Sequence, residues 1–304
     1  MDRKTVLGRC ALRLFPALSV ALSGCGVGAG PSHRPLPTLT VRETTANPLA
    51  LVPISIAQRL GLFRQQGIAV REVASKAAPV SLGSVGQRWP IVGVLAQGID
   101  GFIVAPEPDP GFRLAALNQV PVAYPKNDPD LALAFRTLMH IHQVQDYLLE
   151  PLNLRTLINL WKSGHMPYVV ANTALWHHLK GLNRSTTALA ALSASMGPMP
   201  SIVIAGRAST LPQFLAALNL SLWYIETHAP KTLLPLLPHR LRTPTTTFFL
   251  QLADRYQWFP ATTVPIRQNY QRGLTFWHMA GLRWPSYERA VDTRPSLTAL
   301  SLTP

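Results

Sequence analysis

Cysteine is nearly absent from this chain: its 304 residues include two, Cys10 and Cys25, both close to the N-terminus. Beyond residue 25 no thiol remains for a disulfide, a cysteine nucleophile or a thiolate metal site. Acidic residues are also scarce, with 14 Asp and Glu against 28 Lys and Arg, which gives a formal net charge of +14. The positive charge is spread along the chain without a basic stripe or a recognisable nucleic-acid-binding module, so we expect no nucleic-acid partner.

The signatures of several enzyme classes are missing as well. The chain has no G-x-S-x-G elbow, no Walker A loop and no dinucleotide-binding fingerprint. Its closest histidines are His140 with His142 and the adjacent pair His177 and His178. On a helix these spacings direct side chains to different faces, and no third ligand stands at a helical spacing. We therefore expect no metal, no cofactor and no catalytic residue.

Long apolar runs are also absent, and the N-terminal run, residues 14–22, is too short to span a bilayer, which needs roughly 20 residues. Residues 1–13 hold four basic residues against one acidic residue, so the start has the form of a secretion signal. Its exit, Leu22-Ser23-Gly24-Cys25, resembles the bacterial lipobox, whose cysteine is acylated and becomes the first mature residue. The alternative is an ordinary signal cut near Gly26 to Ala29, with Cys25 incidental.

The lipobox reading predicts a signal peptide over 1–24, lipidation at Cys25 and a flexible Gly/Pro-rich tether over 25–37. Such an anchor holds a protein to the outer face of a bacterial membrane, at the cell surface or in the periplasm, without spanning it. The mature 280 residues carry a net charge of +11, because the signal removes four basic residues and one acidic residue. They suffice for one large or two modest domains.

The first regular stretch reads as a strand-helix-strand unit. Leu39–Val41 is a short apolar strand, a helix with apolar residues at helical spacing ends at Gly61, and Ile68–Val73 alternates as a second strand. Such a unit implies a right-handed crossover and parallel strands. The loop over 44–48 follows the first strand, where an open α/β sheet normally holds a ligand.

A second unit repeats the first in outline. A strand at Val120–Tyr124 leads through a polar loop into a helix over 129–143, with Asn127 or Asp128 placed as the N-cap. Lys126 and the helix N-terminus form an anion cradle; the alternative is simple capping beside a solvated lysine. Another strand, Met166–Val170, delivers Asn172 and Thr173 to the start of the next helix.

Several segments together resemble one transport family. They are the helix and turn from Pro53 through Gly61-Leu62-Phe63 to Gly67, followed by a strand; Leu117–Ala123; Gly197–Ala205; Leu211–Leu218 with Trp223-Tyr224-Ile225; and Tyr287–Thr293. Their order is similar to that of ABC-transporter substrate-binding proteins of the nitrate/sulfonate/taurine and thiamine-precursor (pyrimidine) group. That resemblance implies an α/β fold of the two-lobed, type II periplasmic-binding-protein kind. Each lobe would be a mixed sheet flanked by helices, with the ligand cleft between them.

The same resemblance implies the domain ranges and the site. Lobe 1 is expected over 38–106 and 198–304, with a mainly helical C-terminal part packed against it, and lobe 2 over 107–197. The chain crosses between lobes near Ala105–Pro110 and Met196–Pro200. The expected ligand-binding residues fall mostly in β-to-α loops: Thr44, Thr45, Asn47, Ser81, Lys126, Asn127, Asn172, Thr173 and Arg207. Hydroxyl and amide groups would orient the solute, and Lys126 or Arg207 would balance its charge.

The implied function is that of an extracytoplasmic, monomeric solute-binding subunit of an ABC importer and not an enzyme. It would capture a small anionic or heteroaromatic solute, such as nitrate, a sulfonate, taurine or a pyrimidine, and deliver it to permease subunits with a cytoplasmic ATPase. Two alternatives are an extracytoplasmic enzyme of the same fold and a degenerate lipoprotein that binds another protein. The chain departs from the family where Gly164-His165 lacks the usual acidic residue; Gly98-Ile99-Asp100 approximates the first such position.

Overall fold

The computed structural model describes residues 35–44, 48–83, 90–279, 281 and 283–303. The predicted signal peptide, Cys25 and most of the predicted tether lie outside these ranges. Among the described helices, none combines the length and the apolar character needed to cross a membrane.

The described chain forms ten strands and twelve α-helices. The strands are β1 Thr38–Glu43, β2 Ala69–Glu72, β3 Val80–Gly83, β4 Ile91–Gln97, β5 Phe102–Ala105, β6 Pro121–Pro125, β7 Leu148–Leu152, β8 Tyr168–Ala171, β9 Thr187–Ala191 and β10 Pro200–Gly206. The helices are α1 Pro48–Arg59, α2 Leu62–Gln65, α3 Pro129–Ile141, α4 Leu154–Lys162, α5 Thr173–Leu182, α6 Leu192–Met196, α7 Leu211–Thr227, α8 Pro230–Leu233, α9 Pro244–Arg255, α10 Arg267–Met279, α11 Tyr287–Ala290 and α12 Arg294–Ser301. Short 3₁₀ turns occur at Leu114–Leu117, Leu234–Leu236 and His239–Leu241.

The strands build two five-stranded sheets with equivalent strand orders, β2-β1-β3-β10-β4 and β7-β6-β8-β5-β9. In the first sheet β1 pairs in parallel with β2, Thr38 opposite Ala69, and with β3, while β10 runs antiparallel to β3 and β4. In the second sheet β6 pairs in parallel with β7 and β8, and β5 runs antiparallel to β8 and β9. The fold is the mixed, two-lobed α/β arrangement that the sequence predicts.

Each lobe holds one antiparallel strand that the chain supplies while passing between the lobes. β5 follows lobe 1 directly but lies in the second sheet, and β10 returns from lobe 2 into the first. The first crossing is therefore 98–101, and its prediction at Ala105–Pro110 is wrong because the proline-rich loop comes after β5. The second crossing, between β9 and β10, includes the predicted Met196–Pro200. The remaining domain boundaries stay predictions.

The C-terminal helices contact both lobes. Helices α7 and α12 pack together beside the first sheet, whereas α9 packs on α5 and α10 packs on α3, both in lobe 2. Aromatic rings join the two parts: Phe102 of β5 lies with its ring centroid 5.6 Å from that of Tyr256 and 6.0 Å from that of Trp258. The expectation that this segment packs mainly against lobe 1 therefore holds for α7 and α12 but not for α9, which packs on lobe 2, while α10 contacts both α3 of lobe 2 and β10 of the first sheet.

Candidate ligand-binding site

A cavity of about 610 Å³ lies where both lobes and two C-terminal helices meet. This volume falls within the usual range for small-molecule sites. The lining residues come from the β4–β5 crossing, the starts of α1, α3, α5 and β10, the first half of α9, and the end of α10 with the segment after it. They are Pro48, Gly98, Ile99, Asp100, Asp128, Asp130, Leu131, Leu133, Asn172, Thr173, Ala174, Met199, Pro200, Ser201, Ile202, Thr243, Thr245, Thr246, Phe249, Phe276, Trp277 and Trp284.

Four helix N-termini open onto this cavity, those of α1, α3, α5 and α9. Three of them carry a side-chain cap that the sequence encodes. Asp128 accepts a hydrogen bond from the Leu131 N–H, Asn172 from the Leu175 N–H and Thr243 from the Thr246 N–H. A proline in the first turn follows the caps of α3 and α9. Capping fixes these helix starts and thereby positions the polar groups of the cavity wall.

Asp100 is the most perturbed acid of the site. Its Oδ1 accepts hydrogen bonds from the Thr173 N–H at 2.9 Å and from the Thr173 hydroxyl at 2.5 Å. Burial nevertheless raises the pKa of Asp100 to about 6; the two Thr173 bonds oppose this rise, and the charge of Asp128 adds to it. No described residue donates a hydrogen bond to the second oxygen, Oδ2. A carboxylate with a raised pKa and one oxygen without a described donor, in a cavity, is typical of a functional position.

Asp128 and Asp100 are held by two consecutive residues at the start of α5. The Asn172 amide donates to Asp128 Oδ2 at 3.2 Å, while the following residue, Thr173, holds Asp100. Burial is the main cause that raises the pKa of Asp128, opposed by the hydrogen bonds from Leu131 and Asn172. The two carboxylates therefore share one wall; the charge of Asp128 disfavours ionisation of Asp100, and the charge of Asp130 disfavours ionisation of Asp128.

Part of the cavity wall is aromatic. Phe249 of α9 and Phe276 and Trp277 of α10 line it together with Trp284. The rings of Trp277 and Trp284 stack with centroids 4.6 Å apart and planes inclined by 29°. Such a surface offers a flat apolar face to a planar ligand.

The formal charge of the lining is negative. Asp100, Asp128 and Asp130 are its ionisable groups, and no Lys, Arg or His belongs to the described lining. The Ser201 hydroxyl oxygen, also in the lining, is buried without a hydrogen-bond partner among the described residues. The described lining thus offers acceptors and hydroxyls, but no cation that would neutralise an anionic solute.

The structure places two of the predicted site residues, Asn172 and Thr173, in the cavity wall. Lys126 and Asn127 are exposed just before Asp128 and do not line it. Arg207 is exposed after β10, where its charge acts on Asp292.

Two more predicted residues make contacts within the first sheet instead. The Thr44 hydroxyl donates to the Leu82 carbonyl at 2.8 Å, and the buried Ser81 hydroxyl contacts the Ala205 carbonyl at 3.4 Å. Neither belongs to the described lining. Thr45 and Asn47 lie outside the described residues, immediately before Pro48, which lines the cavity.

Sequence reasoning missed most of the lining. Asp100 stands in the Gly-x-Asp pattern, and Asp128 was recognised as a cap candidate, so a signal existed for both. Thr243-Pro244-Thr245-Thr246 has the form of a capped helix start. Nothing in the local sequence distinguishes Trp277 and Trp284 from other aromatic residues.

The architecture and the cavity together define a class of fold, the type II periplasmic-binding-protein fold with its site between two lobes. No protein-family model and no curated protein matches the sequence.

Solved structures share the fold at low identity. A putative periplasmic sulfonate-binding protein, SsuA, from Methylobacillus flagellatus KT superposes with a TM-score of 0.63 at 13% identity, over 88% of this chain and 94% of that one. A ligand-binding component of an ABC-type import system from Staphylococcus aureus, with zinc bound, gives 0.57 at 10% identity, over 86% and 99%. The desulfurization enzyme DSZB gives 0.61 at 11% identity, over 88% and 99%. The similarity establishes the fold, which binding proteins and an enzyme share.

Proposed function

We propose that this chain is the solute-binding subunit of an ABC importer. It captures a small solute between its lobes and delivers it to membrane permease subunits that work with a cytoplasmic ATPase. The observation that carries the proposal is the cavity of about 610 Å³, walled by capped helix starts of both lobes and by the start of β10. The sulfonate-binding protein and the import-system component of the same fold support it.

Binding would use groups that are already in place. The Thr243, Thr245 and Thr246 hydroxyls and the Asn172 amide orient the solute, and Trp277 with Trp284 provides a flat apolar surface. Closure of the lobes would bend the two crossings, 98–101 and 192–199, which lie side by side. A solute held by both walls stabilises the closed form only by its better contacts in that form.

The lining favours the heteroaromatic part of the predicted solute range over the anionic part. Nitrate or a sulfonate would enter beside Asp100 and Asp128, and like charges at close range are costly. Lys126 and Arg207, predicted to balance an anion, lie off the described lining. The stacked tryptophans instead suit a planar ring such as a pyrimidine.

The extracytoplasmic localisation in this proposal is inferred from the sequence. The basic start, the short apolar run and the lipobox-like Leu22–Cys25 support a lipid tether at Cys25 on the outer face of a bacterial membrane. In this proposal the tethered chain is a monomer. Mass spectrometry of the expressed chain tests the tether: a diacyl or triacyl group on an N-terminal Cys25 supports the anchor. Cleavage after residue 25 contradicts it.

An enzyme of the same fold is the second candidate. A desulfurization enzyme shares the architecture, and Asp100, with a pKa of about 6, has the properties of a general base inside a cavity. The only two cysteines precede the described residues, so no thiol belongs to the described lining of this cavity. Turnover of a bound compound, followed by mass spectrometry and lost in Asp100→Asn, would favour this candidate over transport.

A thermal-shift screen of the full chain tests solute binding. The panel comprises pyrimidines, aromatic amines, amino acids, sulfonates and nitrate; a ligand at 100 times its Kd adds about 2.7 kcal/mol to the stability, which raises the melting temperature by several degrees. Trp284→Ala should abolish the shift of a genuine hit.

The matched control is Trp223→Ala, a tryptophan on α7 that is 58% exposed and outside the cavity. The hit should shift this variant as it shifts the parent chain. A panel without any shift, or a shift that survives Trp284→Ala, would contradict solute binding in this cavity.

A further inference from the structure

The charge distribution of the cavity narrows the class of solute. All of its described ionisable lining residues are aspartates, and Asp100 and Asp128 are held side by side by Thr173 and Asn172. Both are on lobe 2 or its crossing, while the aromatic wall comes from the C-terminal helices. A solute in the cavity therefore has both carboxylates and aromatic rings within its lining.

We propose that the solute is an organic cation, with a protonated amino or amidino group against Asp100 and Asp128 and a flat apolar body against the tryptophan wall. This inference rests on the solute-binding function proposed above. The chemical class follows because the carboxylates complement a cationic group and the aromatic rings complement a flat apolar body. A sulfonate or nitrate would meet repulsion from the carboxylates.

The carboxylates lack the counter-charge that such a solute would supply. Asp100 Oδ2 has no donor among the described residues, although Oδ1 has two. Burial raises the pKa of both acids, so their ionised forms are under-solvated in the empty cavity. A cation with N–H groups would form charge-assisted hydrogen bonds to them, which are stronger than neutral ones.

The aromatic wall supplies a second, independent match to the same chemistry. Trp277 and Trp284 stack at 4.6 Å, and tryptophan is the ring that best attracts a cation or a positively polarised planar group. The Ser201 hydroxyl, also in the lining and buried without a partner among the described residues, provides one further polar contact. Carboxylates alone would suit any cation; the rings select one that carries a flat apolar body.

Other titratable groups near the site are few. Asp130 adds a third negative charge to the lining. His177 does not line the cavity, but its Nδ1 lies 3.3 Å from the hydroxyl oxygen of the lining residue Thr245. Arg272 of α10 lies against Gly197 in the second crossing and does not line the cavity. Asp128 is therefore the charged group that acts on Asp100 most directly, and it adds to the negative potential.

Three probes of nearly equal shape test the proposal on the full chain. Benzamidine is a planar cation, benzamide is its neutral counterpart and benzenesulfonate is a planar anion. Binding is followed by NMR titration of the tryptophan indole signals at pH 7.5. We expect benzamidine to bind at least tenfold more tightly than benzamide, and benzenesulfonate to leave the signals unchanged.

Variants and a change of pH test whether the charge of Asp100 causes the preference for benzamidine. Asp100→Asn should reduce the benzamidine preference to less than threefold, because asparagine still accepts from Thr173 but carries no charge. Lowering the pH from 7.5 to 5 should reduce benzamidine affinity about tenfold in the parent chain and much less in Asp100→Asn, since benzamidine stays protonated. Asp146→Asn, an exposed aspartate outside the cavity, should change neither result.

The outcomes separate this inference from the function on which it rests. Benzamide equal to benzamidine, or benzenesulfonate bound more tightly than either, overturns the organic cation. A sulfonate or neutral hit in the wider thermal-shift panel has the same consequence, but it leaves solute binding intact. If none of the three probes binds, the organic-cation proposal is wrong. If no compound of the wider thermal-shift panel binds either, the proposed solute-binding function is wrong as well.

Discussion

The backbone N–H of Gly98 donates a hydrogen bond to the Met199 carbonyl at 2.8 Å, which ties the two lobe crossings directly to each other. A second bond, from the Leu192 N–H to the Gly101 carbonyl at 2.9 Å, closes the other end of the pair. The crossings therefore form one short, two-stranded connection. Any movement of one lobe against the other has to bend both crossings together, next to Asp100.

Gly98→Ala should destabilise the chain by roughly 2–4 kcal/mol. Gly98 has φ +80°, and an added Cβ would lie 3.1 Å from Trp258 Cδ1 and 3.3 Å from Ser193 Cβ. Urea unfolding measures the loss. The control is Gly164→Ala, whose φ of +74° imposes the same backbone strain with open space around the Cβ, so it should cost only about 1–2 kcal/mol. Equal losses in the two variants would contradict tight packing at the crossing.

Asp100→Asn should stabilise the empty chain at pH 7.5. The folded-state pKa of about 6 exceeds the ordinary value of 3.8, so the folded state binds this proton more tightly than the unfolded state does. The contribution of Asp100 to stability is thus fully present below about pH 4 and is lost as the pH rises through about 6, at a cost of at most about 3 kcal/mol. Asparagine removes that cost.

The measurement is urea unfolding of both chains at pH 4 and 7.5. The stabilising effect of Asp100→Asn should be large at pH 7.5 and small at pH 4, and the exposed Asp146→Asn should be neutral at both. A variant that is less stable than the parent at pH 7.5 would show that the ionised carboxylate holds the fold together, contrary to this argument.

Thr243→Ala should lower stability by about 1 kcal/mol and weaken binding of any cavity ligand. Its hydroxyl accepts from the Thr246 N–H at 3.1 Å and caps the helix start that lines the cavity. Thr243→Ser should restore both properties. Thr247→Ala, one turn further along the same helix, removes a hydroxyl that donates only to the Thr243 carbonyl and should stay within about 0.5 kcal/mol of the parent.

Ser221→Ala should cost about 1–2 kcal/mol, measured by thermal unfolding. The Ser221 hydroxyl is fully buried in α7 and donates to the Pro53 carbonyl of α1 at 2.7 Å. The bond joins the two helices that cover the first sheet. Exposed Ser209, just before α7, provides the comparison, and Ser209→Ala should be neutral. Equal stability of the two variants would mean that the buried bond contributes nothing.

The periodicity of apolar residues along the sequence predicts most of the helices and strands of the fold. The C-terminal part is mainly helical, as predicted, and begins with α7; the parallel pairing of β1 with β2 confirms the first strand-helix-strand unit. The sheet of β5 could not be predicted in this way. Phe102–Ala105 is buried on both faces, so its side chains show no alternation that names a partner, and its pairing with β8 and β9 is set by residues far along the chain.

The site was predictable only where a β-to-α loop pointed to it, at Asn172 and Thr173. Lys126 and Arg207 were chosen for their charge, but long cations just beyond a helix start or a strand end extend into solvent. Asp100 and Asp128 look like caps in the sequence, and they do make structural hydrogen bonds. Their shared position becomes visible only when α3, α5 and the β4–β5 crossing come together.

The side-by-side crossings make the second lobe an insertion within the first. All five strands of the first sheet come from 38–97 and 200–206, and the stretch between them leaves and returns at adjoining points. Excision of 99–198 with a short linker would keep the first sheet complete, at the expense of uncovering the rings that α9 and α10 place against lobe 2. Those rings, and not the sheet, then determine whether half of this molecule can exist alone.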